Sequence, residues 1–243
     1  TLKLTSSKMF NTPVASVTCL QSPTTSIALV TAFMNSFSRH RRRIYLGILG
    51  LILFQGAASR AQIPLQKQYH PTRVLVIGDS LSAEYGLKRE SGWVALLKNS
   101  LSNTHPNTEI INASISGDTT SGGLTRLKAL LERTTPNIVL IELGANDALR
   151  GLPLEMTKNN LLAMIRLVKA AGASPIVAGM QIPPNYGREY TMAFKKIFEV
   201  VAETENTALI PFFLEGIAED PAMFQADTIH PNEKAQPILM ENV

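Results

Sequence analysis

The sequence predicts a three-layer α/β domain, a five-stranded parallel sheet with helices on both faces. Three observations lead there. Short apolar runs rich in β-branched residues recur five times between Arg73 and Phe213, at strand rather than helix length. The strongest of these runs are apolar at successive positions instead of alternate ones, as in strands covered on both sides. Between them stand longer segments whose apolar residues recur at intervals of three and four, the mark of helices with one buried face.

RVLVI (73–77), stopped by Gly78, is the first strand, and Trp93, Leu96, Leu97 and Leu101 stripe the first helix. EIINAS (109–114) is the second strand, followed by a helix marked by Leu124, Leu127, Leu130 and Leu131. NIVLIEL (137–143) is the third and most apolar strand; Leu161, Leu162, Ile165 and Val168 give the next helix, with Gly172 as its stop. PIVAGM (175–180) is the fourth strand, and Phe194, Ile197, Phe198 and Val201 mark the helix behind it. ALIPFF (208–213) is the fifth strand, and a short last helix is expected after Pro231. Strict alternation of strand and helix implies right-handed parallel crossovers, for which the flavodoxin-like order 2-1-3-4-5 is expected. There is no internal repeat and no sign of a second domain.

The 243 residues include 15 glycines and 14 prolines, ordinary usage that excludes collagen-like and low-complexity classes. A single cysteine, Cys19, excludes a disulfide framework and cysteine-rich zinc modules. The formal charge of +4 is unevenly placed. Residues 1–61 hold seven basic side chains and no acidic one, leaving 16 basic against 19 acidic in residues 62–243. A body of net charge −3 offers no footprint for a phosphate backbone, so nucleic acid is not an expected partner.

The basic stretch reads as a leader. Met34 is a candidate start, Arg39, Arg41, Arg42 and Arg43 form a positive region, and residues 44–54 form an apolar run of 11. As a helix that run spans about 16 Å, roughly half a bilayer's hydrocarbon core. Ser59 and Ala61 then fit a cleavage site before Gln62. The expected organisation is an upstream or disordered tail at 1–33, a signal peptide at 34–61 and one domain at 62–243. Export to the periplasm, with no stable membrane anchor after cleavage, follows as an expectation. An uncleaved anchor is the alternative, and the RRIYL stretch leaves general and twin-arginine export unseparated.

Ligands of open parallel sheets bind beyond the C-terminal ends of the strands, near the switch in strand order. The polar and glycine-rich blocks lie there. Gly78-Asp79-Ser80-Leu81-Ser82 follows strand one, and Ser116-Gly117-Asp118 follows strand two. Gly144-Ala145-Asn146-Asp147 follows strand three, and Asp227-Thr228-Ile229-His230-Pro231-Asn232 follows strand five. Each residue has a duller role available when taken alone. Ser80 could cap a turn, Gly117 could serve one, Asn146 and Asp147 could form an Asx turn or helix cap, and His230 could sit on a surface loop. Asp79 and Asp118 read as turn and supporting acceptors rather than a catalytic pair. The order 2-1-3, however, puts the first three loops side by side on one rim. A serine hydroxyl needs a base, His230 is the only histidine on that rim, and Asp227 could accept from its other ring nitrogen.

In these blocks the chain resembles the SGNH (GDSL) hydrolase family. GDSLS, the isolated Gly117, GAND and DxxH occur in the family's order and spacing, over essentially all of 70–236. GDSLSAEYGL, SGDTTSGGL, LGANDALRG, PPNYGREY and DTIHPN resemble in particular its periplasmic thioesterase, lysophospholipase and arylesterase subgroup. The resemblance implies Ser80 as nucleophile, His230 as base and Asp227 as its acidic partner. It also implies an oxyanion hole made by the backbone N–H groups of Ser80 and Gly117 and the Asn146 side chain. The implied reaction is hydrolysis of carboxylic esters and thioesters, including fatty acyl thioesters, lysophospholipids and aryl esters, through an acyl-enzyme. Activity is then expected to rise with pH through one ionisation, as the imidazole loses its proton.

The loops 147–154 and 181–190 are candidates to line an acyl groove, with Leu149, Leu152, Leu154 and Pro184 offering apolar surface; these residues could equally serve packing. No HExxH, paired-histidine spacing or carboxylate cage is present, and neither His70 nor His105 has a ligand-like neighbour in sequence, so no metal or cofactor is expected. A monomer acting on a small acyl substrate is the expected form. No GxSxG and no GxxxxGK[ST] occurs, which counts against an α/β-hydrolase elbow and against nucleotide binding. The alternatives are a sugar O-deacetylase of the same family and two non-catalytic readings. One is a flavodoxin-like module holding a phosphate group in the Ser/Thr-rich loop, the other an interaction protein on the same fold. Only 12 residues follow Pro231, short beside the subgroup's usual last helix, so a truncated C-terminus is one expectation.

Overall fold

A computed structural model of the chain describes residues 71–243. The expected tail and signal peptide, and Cys19 and His70 with them, lie outside the described residues.

Five parallel strands form one sheet in the order β2-β1-β3-β4-β5. They are β1 (Thr72–Gly78), β2 (Thr108–Asn112), β3 (Ile138–Glu142), β4 (Ser174–Ala178) and β5 (Ala208–Ile210). In the centre, Val74 pairs with Ile138 and Gly78 with Glu142, so β1 and β3 end level with one another. The connecting helices are α1 (Trp93–Thr104), α2 (Thr120–Thr134), the single turn α3 (Ala145–Leu149), α4 (Leu154–Ala170) and α5 (Arg188–Thr204), with α6 (Gln236–Asn242) last. α1 packs with α6, while α2, α4 and α5 pack in a row. Right-handed crossovers that run one way from β1 to β2 and the other way from β2 through to β5 require this division between the two faces.

Apolar residues at successive strand positions meet helices on both sides. Leu75, Val76 and Ile77 of β1 and Val139 and Ile141 of β3 are fully buried. Trp93 opens α1 with its ring edge-on to Phe213 at 5.4 Å, and Phe194 stands edge-on to Phe198 at 5.2 Å behind β4 and β5.

Strand ends shift by one or two residues from the sequence expectation in β1 to β4, and the larger differences lie further along the chain. β5 stops at Ile210 rather than continuing to 213, because Pro211 has no N–H to extend the ladder. The last helix starts at Gln236, since Asn232 and the residues after it are spent on turns that seat the preceding loop. The 147–154 and 181–190 segments are less loop-like than expected. They contain most of α3, the start of α4, a 3₁₀ turn at Pro184–Tyr186 and the start of α5.

Candidate active site

The C-terminal edge of the sheet gathers all five residues that the four blocks nominated. Ser80 lies in the turn that leaves β1, and His230 in the loop between β5 and α6. Ser80 Oγ and His230 Nε2 are 2.9 Å apart, and His230 Nδ1 lies 2.6 Å from Asp227 Oδ2. Asp227 Oδ1 accepts from the backbone N–H groups of both Ile229 (3.0 Å) and His230 (2.9 Å). One carboxylate therefore shapes the turn and orients the ring. Thr228 between them stands at φ +60°, a left-handed conformation unfavourable for a β-branched residue, so the turn stores strain beside the imidazole. The His230 backbone N–H, outweighing desolvation and aided by the ring contact and the Ile229 N–H, holds the Asp227 carboxyl at about 2, below the usual carboxylate range.

The loop is fastened at several points. Gln225 N–H donates to His230 C=O at 2.7 Å, and its side-chain amide donates to Tyr85 C=O (2.8 Å) and Pro231 C=O (3.2 Å). Asn232 Nδ2 donates to the carbonyls of Ala222 and Phe224. Buried Gln236 accepts from Trp93 N–H at 3.0 Å and donates to Asn232 C=O at 3.1 Å, joining the loop to the start of α1.

The donors expected for an oxyanion have a common property. Among the described residues, neither the Ser80 nor the Gly117 backbone N–H donates a hydrogen bond within the protein. Gly117 stands at φ +78°, where L side chains are strained, and its carbonyl accepts from Arg150 Nη2 at 2.7 Å. Asn146 Nδ2 donates one hydrogen to Asp79 Oδ2 at 2.9 Å, which leaves its second hydrogen available. Asp147 is fully buried and accepts from Thr120 N–H (2.9 Å) and Thr120 Oγ1 (2.5 Å), locking α3 to the N-terminus of α2.

Under the nucleophile turn lie two buried carboxyls, Asp79 and Glu142. Glu142 Oε2 accepts from Ser82 Oγ at 2.8 Å and from Asp79 N–H at 3.3 Å, while Oε1 is buried with no partner among the described residues. A Cβ on Gly78 would stand 2.6 Å from Glu142 Oε2, so glycine before Asp79 makes room for this acid. Burial, then the neighbouring Asp79 charge, pushes the Glu142 carboxyl well above its usual range. Burial raises Asp79 to about 6, against the pull of the Leu81 N–H and Asn146 amide.

Glu142 therefore holds its proton more tightly in the folded protein than in the unfolded chain, so it costs stability as pH rises above the unfolded value of about 4.3. Each pH unit over which only the folded state keeps the proton costs about 1.4 kcal/mol. Glu142→Gln copies the neutral form and removes this cost. Its melting temperature is expected to gain on the parent's as pH rises above the unfolded value of about 4.3, measured by thermal unfolding in matched buffers across that rise.

Sequence reasoning did not find Glu142, Arg150, Gln225 or Gln236. The polar end of NIVLIEL was the available signal for Glu142, and LGANDALRG for Arg150; the two glutamines carried none. Asp118, expected as a supporting acceptor, binds Arg126 at 2.8 Å, and Arg126 reaches the Ala113 carbonyl. Of the expected groove residues, Leu149 and Leu154 pack against the core, Leu152 is half-buried and Pro184 is exposed. A surface groove beside the end of β2 is lined by Ser114, Ile115, Arg126 and Leu130, and by none of those four. Among the described residues, no cluster of three or more His, Cys, Asp or Glu could hold a metal ion.

The profile of the GDSL-like lipase/acylhydrolase family matches residues 76–237. The chain is 43% identical to an arylesterase of Vibrio mimicus over 198 residues, 81% of this chain and 94% of that one. It is 43% identical to thioesterase 1/protease 1/lysophospholipase L1 of Escherichia coli K12 over 168 residues, 69% of this chain and 79% of that one. The crystal structure of a protein named TesA superposes with a TM-score of 0.69 at 49% identity, covering 71% of this chain and 96% of that one.

Proposed function

The chain belongs to the GDSL-like lipase/acylhydrolase family, the SGNH hydrolases, and from that premise we propose that Ser80, His230 and Asp227 hydrolyse carboxylic esters and thioesters through an acyl-enzyme. The observation that carries the reading is the unbroken chain from Ser80 Oγ through the imidazole to Asp227, beside backbone N–H groups that serve no acceptor in the protein.

Ser80 Oγ attacks the substrate carbonyl carbon as His230 Nε2 takes its proton. Asp227, a carboxylate at every pH where the enzyme works, keeps the other ring nitrogen protonated and stabilises the imidazolium. The carbonyl oxygen becomes an oxyanion facing the N–H groups of Ser80 and Gly117 and the free hydrogen of Asn146. The tetrahedral intermediate collapses, Nε2 returns the proton to the departing alcohol or thiol, and the acyl group stays on Ser80. Water, deprotonated by the same nitrogen, then releases the acid. Substrates are small acyl esters and thioesters, with fatty acyl thioesters, lysophospholipids and aryl esters as the classes to try first. No described helix is long and apolar enough to cross a membrane. The leader at 34–61 supports export to the periplasm, with the enzyme working as a monomer.

A fluorophosphonate probe tests the chemistry directly. A single adduct on Ser80 in the folded protein, absent when the protein is heat-denatured before the probe is added, supports the reading; labelling elsewhere, or none, rejects it in favour of a binding module. The acid side of the pH profile gives a second test. His230 must be neutral, and Asp79, with its carboxyl at about 6, holds the Asn146 amide more firmly when ionised. The sequence alone suggested one ionisation; the structure supplies a second. Below pH 6, log kcat/KM is therefore expected to fall more steeply than one unit per pH unit in the parent. In Asp79→Asn the slope should return to one, measured with a short acyl ester under conditions where acylation limits.

A further inference from the structure

We infer that Tyr85 is the leaving-group wall of the site, the residue that favours substrates whose departing alcohol carries an aromatic ring. The inference rests on the serine-hydrolase reading above and deepens it. Its starting observation is that the Tyr85 and His230 rings lie 4.4 Å apart, centroid to centroid, inclined at 38°. Tyr85 is nonetheless 51% exposed, and its hydroxyl makes no hydrogen bond among the described residues. A large aromatic side chain that the core does not use is thereby held open to solvent against the proposed base.

Its position is built in. The turn from Ser80 is closed by Tyr85 N–H donating to Ser80 C=O at 3.3 Å, with Glu84 at φ +59°. The Gln225 amide then holds Tyr85 C=O at 2.8 Å and Pro231 C=O at 3.2 Å, so one side chain ties the tyrosine turn to the histidine loop. Ile229, 50% exposed and adjacent to His230, adds a second apolar side chain to this loop.

The chemistry assigns the side. In acylation the carbonyl oxygen turns to the N–H donors, and the leaving atom must come within hydrogen-bond reach of Nε2 to receive its proton. Whatever is attached to the leaving atom must run out beside the imidazole and the ring that covers it. An aromatic alcohol can stack there or meet the ring edge-on, which an ethyl group cannot do. Once the alcohol has left, the acyl-enzyme is the same for every ester of one acid, and its hydrolysis should be indifferent to this wall.

The test uses the whole chain and pairs of esters sharing one acyl group, 2-naphthyl butanoate and ethyl butanoate. Tyr85→Ala is expected to lower kcat/KM for the naphthyl ester roughly three- to tenfold more than for the ethyl ester, the size of one aromatic contact. Tyr85→Phe should keep the parent's ratio, and Tyr85→Leu, similar in bulk but not aromatic, should lose it. The deacylation rate constant, from burst kinetics on an activated butanoate, should match the parent's in all three. Equal losses on both esters, or slowed deacylation, would mean that Tyr85 only props His230 and would overturn the inference. Hydrolysis surviving in Ser80→Ala would instead reject the serine reading beneath it.

Discussion

Ser80→Ala is expected to reduce ester turnover by about 10⁴- to 10⁶-fold while leaving KM and melting temperature close to the parent's. The size of the loss follows from cooperation within the chain. Without the nucleophile the general base has no hydroxyl proton to take and the aspartate no imidazolium to stabilise, and what survives is the acceleration from binding and donors around a water molecule. The indifference of stability follows from the contacts. Ser80 Oγ makes one hydrogen bond among the described residues, to His230 Nε2, and caps no backbone group. The nucleophile turn is closed through the Ser80 carbonyl, which alanine retains. A serine that served the turn would behave oppositely, costing on the order of 0.5–2 kcal/mol of stability with little effect on rate. Thermal unfolding and p-nitrophenyl ester hydrolysis on the same sample therefore separate the catalytic role from the structural one.

Much of this was legible beforehand because periodicity and position carry the fold of a parallel α/β sheet. Strands buried on both faces must be apolar throughout, and the crossover rule then leaves few strand orders for five of them. The rim was legible for a related reason. A sheet of this kind has one edge where loops leave the strand ends, and Ser80, Gly117, Asn146 and His230 each follow a strand. What stayed hidden were groups whose role depends on a partner far along the chain. Glu142 reads as the polar close of a strand until its register with Gly78 puts it beneath Asp79. Gln236 reads as a helix residue until it meets Trp93, 143 residues earlier. Tyr85 reads as one more aromatic in a loop, because the His230 ring it lies against comes from the far end of the chain. The strand that should have run to 213 ended at Ile210 because a local rule, proline's missing N–H, overrode an apolar run.

Asn146→Ala is expected to lower kcat by roughly 100- to 1000-fold, about 3–4 kcal/mol of transition-state stabilisation, with KM changed by no more than a few-fold. The effect belongs to kcat because, in the proposed mechanism, the amide's free hydrogen faces charge that develops only after attack, so the ground-state carbonyl gains little from it. Asp79 sets how well that hydrogen is aimed. Its Oδ2 holds one amide hydrogen at 2.9 Å, and its Oδ1 is fixed in turn by Leu81 N–H at 3.0 Å. Asn146→Asp is the informative companion. It keeps the volume but replaces a donor with an acceptor facing both Asp79 and the oxyanion, and should be at least as slow as the alanine variant at pH 8. Asp79→Asn keeps an acceptor near the amide but loses its charge, and should cost kcat about tenfold, the lower end for a group acting through another. Combined with Asn146→Ala it should add almost nothing, because the residue it orients is gone. Full additivity in that double variant would place Asp79 outside this chain of contacts, and the geometry would have to be read as support for the nucleophile turn alone.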